Sequence, residues 1–346
     1  MGYRLSTTRR LPAEWEPQDA ILLAWPHEQT DWQSILNQVT KVYIELIRQI
    51  VRFEKVVIIA PEPDIVRDTL KKESIISSNI SLHKIDTNDT WIRDFGPITI
   101  YTNGHPQLLD FTFTGWGSKF PAEKDNQATR ELHDTGILKK GQRYPTNLVL
   151  EGGSIESDGS GTLLTTSTCL LNPNRNPHLD RKGLEAEFSK LLGSNYFLWL
   201  DYGWLAGDDT DSHIDTLARL CPNETILYIH CTDLEDEHYL ELKKMETQLK
   251  QFRTKNGQPY RLLPLPMPLA CYDDDERLPA SYANFLIINS AILVPTYSDP
   301  TDTLALKTIG KAFPKREIIG IDCRPLIKQH GSLHCISMQL PQGVLA

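Results

Sequence analysis

Nothing in this chain spaces cysteines for a disulfide framework or a zinc ribbon. The six, at positions 169, 221, 231, 271, 323 and 335, are scattered, and no C-x-x-C occurs. Reduced thiols are expected, and with them a cytoplasmic location. No run of about 18 apolar residues is present to cross a bilayer. The opening MGYRLSTTRRLPAEWE lacks the apolar core of a signal peptide. MGYRLS fits the loose N-myristoylation pattern, a match too short to carry weight. Without a secretory signal, the N-x-S/T triplets at Asn79, Asn88 and Asn223 carry no glycan message. Positive charge is also in deficit: 36 Lys and Arg stand against 45 Asp and Glu, a net charge of −9. That argues against nucleic acid, which needs a cationic footprint, and favours a small cationic partner.

What is present is an ordinary globular balance, 40% hydrophobic and 23% charged, over 346 residues. No linker or low-complexity tract divides it, so one domain, 1–346, is expected. Short β-rich runs recur: AILLAW (20–25), KVVIIA (55–60), ITIY (98–101), NLVLEGG (147–153), TLLTT (162–166), TILYIH (225–230), FLIIN and AILVP (285–295), and EIIGID (317–322). Between them lie helical patterns. Ile35, Leu36, Val39, Val42, Tyr43, Leu46, Ile47 and Ile50 fall on one face. Residues 63–71, 179–192, 235–252 and 301–312 are further helix candidates. This alternation predicts a mixed α/β fold.

Four segments concentrate polar chemistry. They are NDTWIRDFGPI (88–98), LEGGSIESDGSGTLLTT (150–166), GDDTDSHIDTLARL (207–220) and the strand-like GSLHCISMQLP (331–341). Each has a plain structural reading: a turn cap at Asp94, a tight turn after Glu151, a hard-cation loop at DDTDSHID, a buried structural Cys335. Together they suit a guanidinium, which is planar, permanently cationic and rich in N–H donors. Burying it requires carboxylates that accept those donors. Asp94 and Asp215 fit opposite edges, with Glu151 accepting from a third. Resonance makes the guanidinium carbon a poor electrophile, so a thiolate, Cys335, is the suitable nucleophile. His213 has a side chain suited to moving protons near neutral pH. His334, adjacent to Cys335 in a strand-like run, is expected to face the other way. The other five cysteines are read as structural.

Six ordered blocks resemble the agmatine deiminases and the related bacterial peptidylarginine deiminases of the guanidino-group-modifying superfamily. They are LPAEWEPQDAILLAWPH (11–27), NDTWIRDFGP, LEGGSIESDGSGTLLTT with CLLNPNRNP (169–177), GDDTDSHID, LPASYANFLIINSAILVPTY (278–297) and GSLHC. The resemblance implies a five-bladed, pseudo-symmetric α/β propeller of ββαβ modules around a narrow central site. It places the nucleophile on Cys335, the general acid/base on His213 and the guanidinium-holding acids on Asp94, Glu151 and Asp215. Trp91 matches a tryptophan near the substrate, and Asp209 an acid facing the distal amine. The implied enzyme is a hydrolase of linear amidines that converts agmatine to N-carbamoylputrescine and ammonia through a Cys335 thiouronium, a polyamine-forming step. No metal or organic cofactor is implied, and no membrane partner; a homo-oligomer stays open. GSLHC, DSHIDT and FTGWGSKF (113–120) depart from the family's usual GGGNIHC, DGHVDN and NAWGGK. The alternatives are therefore a peptidylarginine-type or other guanidino substrate, a metal-dependent hydrolase using DDTDSHID, and a non-catalytic binder of cationic metabolites.

Overall fold

The computed structural model describes residues 8–346, so the MGYRLS match lies outside the described residues. Five sheets repeat one plan: an antiparallel pair, a helical crossover, then a strand parallel to the second member of the pair. Ile98–Thr102 pairs antiparallel with His105–Thr112, helix Asp125–Asp134 crosses over, and Arg143–Val149 adds in parallel. Ile155–Ser157, Thr162–Thr166 and Tyr196–Leu200 repeat this around helix Arg181–Leu192. Ala218–Cys221, Thr225–His230 and Arg261–Pro266 do so around Tyr239–Gln251. Leu286–Ile287, Ala291–Thr296 and Glu317–Asp322 do so around Asp302–Ala312. The fifth of these sheets brings together strands from both ends of the series: Ser337–Pro341 pairs antiparallel with Gln18–Ala24, which continues in parallel to Lys55–Ala60 and Ile80–Lys84.

The physical reason is legible in the strands. Second members such as Gln18–Ala24, Thr162–Thr166 and Thr225–His230 are buried on both faces, as parallel strands covered by crossovers must be, so they carry consecutive apolar residues such as AILLA, LL and ILYI instead of a strict alternation. Helix Leu36–Ile50 buries Val39, Val42, Tyr43, Leu46, Ile47 and Ile50, the stripe its spacing predicts. Most expected elements form within a residue or two; helix Asp125–Asp134 and several edge strands were not foreseen. Among the described residues, no helix is long and apolar enough to cross a membrane.

One departure bears directly on chemistry. Leu333 to Ile336 form a turn, not a strand, closed by Ile336 N–H to Ser332 O at 3.2 Å and Ser337 N–H to His334 O at 3.1 Å. The strand begins only at Ser337. The two-residue alternation invoked for His334 therefore does not apply to it.

Candidate active site

Each of the five sheets contributes a polar side chain from the segment just ahead of its first strand. Asp94 precedes Ile98, Glu151 precedes Ile155, Asp215 precedes Ala218, Asn284 precedes Leu286, and Cys335 precedes Ser337. Segments far apart in the sequence thus meet at one cleft, lined among others by Trp91, Asp94, His213, Asp215 and Cys335.

Gly153 measures how tightly they converge. A Cβ placed there would lie 2.7 Å from His213 Nδ1, 2.9 Å from Asp94 Oδ1 and 3.1 Å from Asp215 Oδ2. Only glycine leaves room for the three, and its N–H donates to Asp94 Oδ1 at 2.9 Å. The other Asp94 oxygen accepts the Trp116 indole N–H at 2.9 Å. Trp116 itself holds φ at 54°, the kind of backbone strain found at functional positions. Cys335 Sγ lies 3.7 Å from Asp215 Oδ2. Asp215 Oδ1 is buried and has no hydrogen-bond partner. Asp215 lines the cleft, and a carboxylate oxygen there can accept an N–H.

The electrostatics follow from this crowding. Burial pushes the Cys335 thiol well up, and the Asp215 and Asp94 charges add to it. Burial opposes the charged form of His213, but the Asp94 carboxylate, with Cys169 and Glu151, outweighs it and raises the imidazole well above its ordinary range. Asp94 is raised, by burial first. Asp215 is lowered: burial opposes this, but His334 prevails through a 2.7 Å hydrogen bond from Nδ1. Both shifts favour the protonated forms, of the Cys335 thiol and of the His213 imidazole.

Glu151 corrects an expectation. It lies outside the cleft lining, fully buried, with Oε2 accepting from Arg175 Nε at 2.8 Å and standing 3.8 Å from His213 Nε2. Its other oxygen, Oε1, is buried without a hydrogen-bond partner. His334 corrects another. It does not turn from the site but reaches Asp215 through one nitrogen and Glu14, at 2.8 Å, through the other.

The loop 207–215 divides its acids. Asp209 lines the cleft, while Asp208 accepts from Thr210 Oγ1 and Ser212 N–H, both at 2.6 Å. Asp211 takes Lys119 at 2.9 Å and Arg175 at 2.6 Å. Two of the acids that suggested a cation loop are thus spent on holding the strained turn at Asp211 and Ser212, both at positive φ. The side chains that do cluster at metal-ligand range are Glu151, Cys169 and His213, and separately Glu14, Glu156 and His334. Arginines already fill the cation position in both, Arg175 on Glu151 and Arg219 on Glu14 and Glu156. The donor set suits a guanidinium better than a metal ion.

Two residues escaped the sequence reading. Asn284 accepts the backbone N–H of His334 at 3.0 Å through Oδ1, which leaves Nδ2 to donate to Cys335 Sγ at 3.2 Å. Arg175 ties Glu151 to the 207–215 loop. Asn284 sat in an apolar block whose other members are core, and only its place ahead of the first strand of its sheet marks it out.

The sequence model of Porphyromonas-type peptidyl-arginine deiminases matches residues 10–341. A Porphyromonas gingivalis structure, described provisionally as an arginine deiminase, is 47% identical with a TM-score of 0.90, covering 98% of this chain and 100% of that one. The C. jejuni agmatine deiminase with substrate bound is 40% identical with a TM-score of 0.90, covering 99% of each chain. The agmatine deiminase of Pseudomonas aeruginosa is 31% identical over 96% of this chain and 95% of its own length.

Proposed function

The chain belongs to the Porphyromonas-type peptidyl-arginine deiminase family, and from that premise we propose that it is an agmatine deiminase with Cys335 as nucleophile. The observation that carries this is the single cleft in which Asp94, His213, Asp215 and the Cys335 sulfur meet, with one carboxylate oxygen left without a donor. The guanidinium lies between Asp94 and Asp215, which accept its N–H groups. Trp91 flanks the cleft. Asp31, Asp89, Asp208 and Asp209 bring its acidic lining to six carboxylates, with no lysine or arginine among them. Such a lining attracts the distal ammonium of agmatine and repels the α-carboxylate of arginine.

Substrate binding also arms the nucleophile. Apart from burial, what holds the thiol neutral is the charge on Asp215 and Asp94. A cation set against both removes that repulsion, and the thiol proton leaves to solvent. The Nδ2 donor of Asn284 stabilises the thiolate that remains. The thiolate adds to the guanidinium carbon, forming the C–S bond. His213, already an imidazolium, gives its proton to the departing amino group, and ammonia leaves. The cationic S-alkylthiouronium stays on Cys335. Neutral His213 then takes a proton from water, the hydroxide adds to the same carbon, and the C–S bond breaks as the new hydroxyl proton passes to the sulfur, releasing N-carbamoylputrescine and restoring the Cys335 thiol. No step draws on a metal or organic cofactor.

The five sheets are read as the blades of one closed five-bladed propeller, and residues 1–346 as one catalytic unit working in the cytoplasm. The pairing of Ser337–Pro341 with Gln18–Ala24 supports the ring, because it joins the two ends of the series. The test is ammonia release from agmatine, free arginine, arginyl peptides and methylated arginines. Agmatine should have the highest kcat/KM, and Cys335→Ser should lose roughly a thousandfold or more while staying folded. A faster reaction with an arginyl peptide would move the enzyme to the peptidyl branch; full activity in Cys335→Ser would end the proposal.

A further inference from the structure

His334 stands between two acids. Its Nδ1 is 2.7 Å from Asp215 Oδ2 and its Nε2 is 2.8 Å from Glu14 Oε1, and the ring is fully buried. Carboxylate oxygens only accept, whereas neutral imidazole carries a single N–H. Two such contacts need a proton on each ring nitrogen or on one of the acids. Glu14 is firmly ionised, since Arg93 reaches its Oε1 at 3.1 Å and Arg219 its Oε2 at 2.7 Å.

The surroundings point the same way. From the first strands of two sheets, Glu156 and Arg219 pair with each other. From helix Ile92–Phe95, Arg93 Nε donates to His334 O at 3.3 Å. Asn284 takes the His334 backbone N–H, and Cys335 follows in sequence. Burial pushes Glu156 up to about 7, so above that pH the group holds three carboxylates, on Glu14, Glu156 and Asp215, against two guanidinium groups. A buried ionic cluster is tolerable when its charges balance, and an imidazolium supplies the missing one.

We propose that His334 is held doubly protonated by Glu14 and serves as a positioning residue that fixes Asp215. It claims Oδ2 and leaves Oδ1 ionised and free to receive the substrate guanidinium, a consequence that rests on the deiminase reading. It also partly neutralises the oxygen nearest the sulfur, 3.7 Å away, which eases formation of the Cys335 thiolate. The N-terminal block around Glu14 thereby joins the active site without touching substrate.

Side-chain 15N NMR of the full-length, histidine-labelled protein between pH 6 and 9 reads the protonation directly. One ring with both nitrogens protonated at pH 8.5 should vanish in His334→Gln. In the isosteric Glu14→Gln, which keeps the His334 ring, that same ring should lose a proton within the range. In agmatine turnover, Glu14→Gln should move the acid limb of kcat/KM upward by about one pH unit, because Asp215 loses the charge that keeps it ionised. KM should rise more than kcat falls. A His334 ring with one bare nitrogen at pH 8.5 overturns the proposal. So does a Glu14→Gln enzyme of lower Tm whose pH profile is unchanged. The NMR reading needs no turnover, so a chain inactive on agmatine would defeat the functional reading and leave this one standing.

Discussion

Asp209 is a carboxyl whose charge comes and goes near neutrality. Burial pushes it up to about 6, with His330 pulling it back and Asp208 pushing it further up. An acid raised in this way is neutral below that pH and charged above it. If it receives the ammonium of agmatine, KM should fall as pH rises from about 5 to 7. Asp209→Asn should remove that trend and raise KM about tenfold, the worth of one charge-assisted contact of about 1.4 kcal/mol. Steady-state kinetics with a butylguanidine that lacks the amine should show no such change; an equal loss for both substrates would displace Asp209 from the amine. At this scale the sequence was a good guide for side chains whose chemistry is rare in a core. Cys335, His213, Asp94 and Asp215 stood out because buried ionisable groups demand a reason. Glu151 was visible, but its partner was not, since nothing in its own segment reveals Arg175, which is 24 residues away. Asn284 was invisible, because a single amide in an apolar run is ordinary.

The nucleophile's own element shows why local pattern misleads. GSLHCISM reads as strand-like, yet Leu333 to Ile336 within it form a turn. Asn284 Oδ1, reaching in from ahead of another sheet, accepts the backbone N–H groups of His334 and Cys335 and holds that turn. Gly331 opens it, packed against the face of Trp91: an added Cβ would sit 2.1 Å from the indole Cζ3. Trp91 is itself buried and leans on Trp32 at a centroid distance of 5.5 Å, so the ring has nowhere to retreat except into the cleft. Gly331→Ala should therefore cut kcat/KM by about a hundredfold, as misplacement of about an ångström can do, with a smaller loss of thermal stability. Activity and melting measured together check this, and unaltered turnover would mean that the turn yields instead. Helix Asp125–Asp134 was missed for a related reason. Its buried side chains, Asp125, Ala128, Thr129 and Leu132, are mostly small or polar and make a faint apolar stripe.

For the molecule as a whole, the decisive contact is between the ends of the chain. Strand Ser337–Pro341 registers Met338 against Leu22 and Leu340 against Ala20, and it follows directly on the nucleophile. Loss of this strand would release both the pairing with Gln18–Ala24 and the placement of Cys335. Leu340 is fully buried, so Leu340→Ala should cost about 2–5 kcal/mol. If residues 1–346 form one cooperative unit, calorimetry should record a single transition displaced to lower temperature, with activity lost along the same curve. Two separate transitions would divide the chain into independent units. Because these pairings span more than 300 residues, folding is expected to be slow compared with helical proteins of the same size.

The sequence by itself determined the alternation of strands and helices, the acidic charge and the identity of the reactive side chains. These properties depend on residues close together in the chain or on their individual chemistry. Tertiary structure alone decided which of these side chains meet and what each faces. It set Glu151 beside His213, joined His334 to Asp215 and Glu14, and brought Asn284 to the sulfur. Such contacts arise when turns from separate sheets converge, and no local periodicity encodes the distance between turns that are tens or hundreds of residues apart.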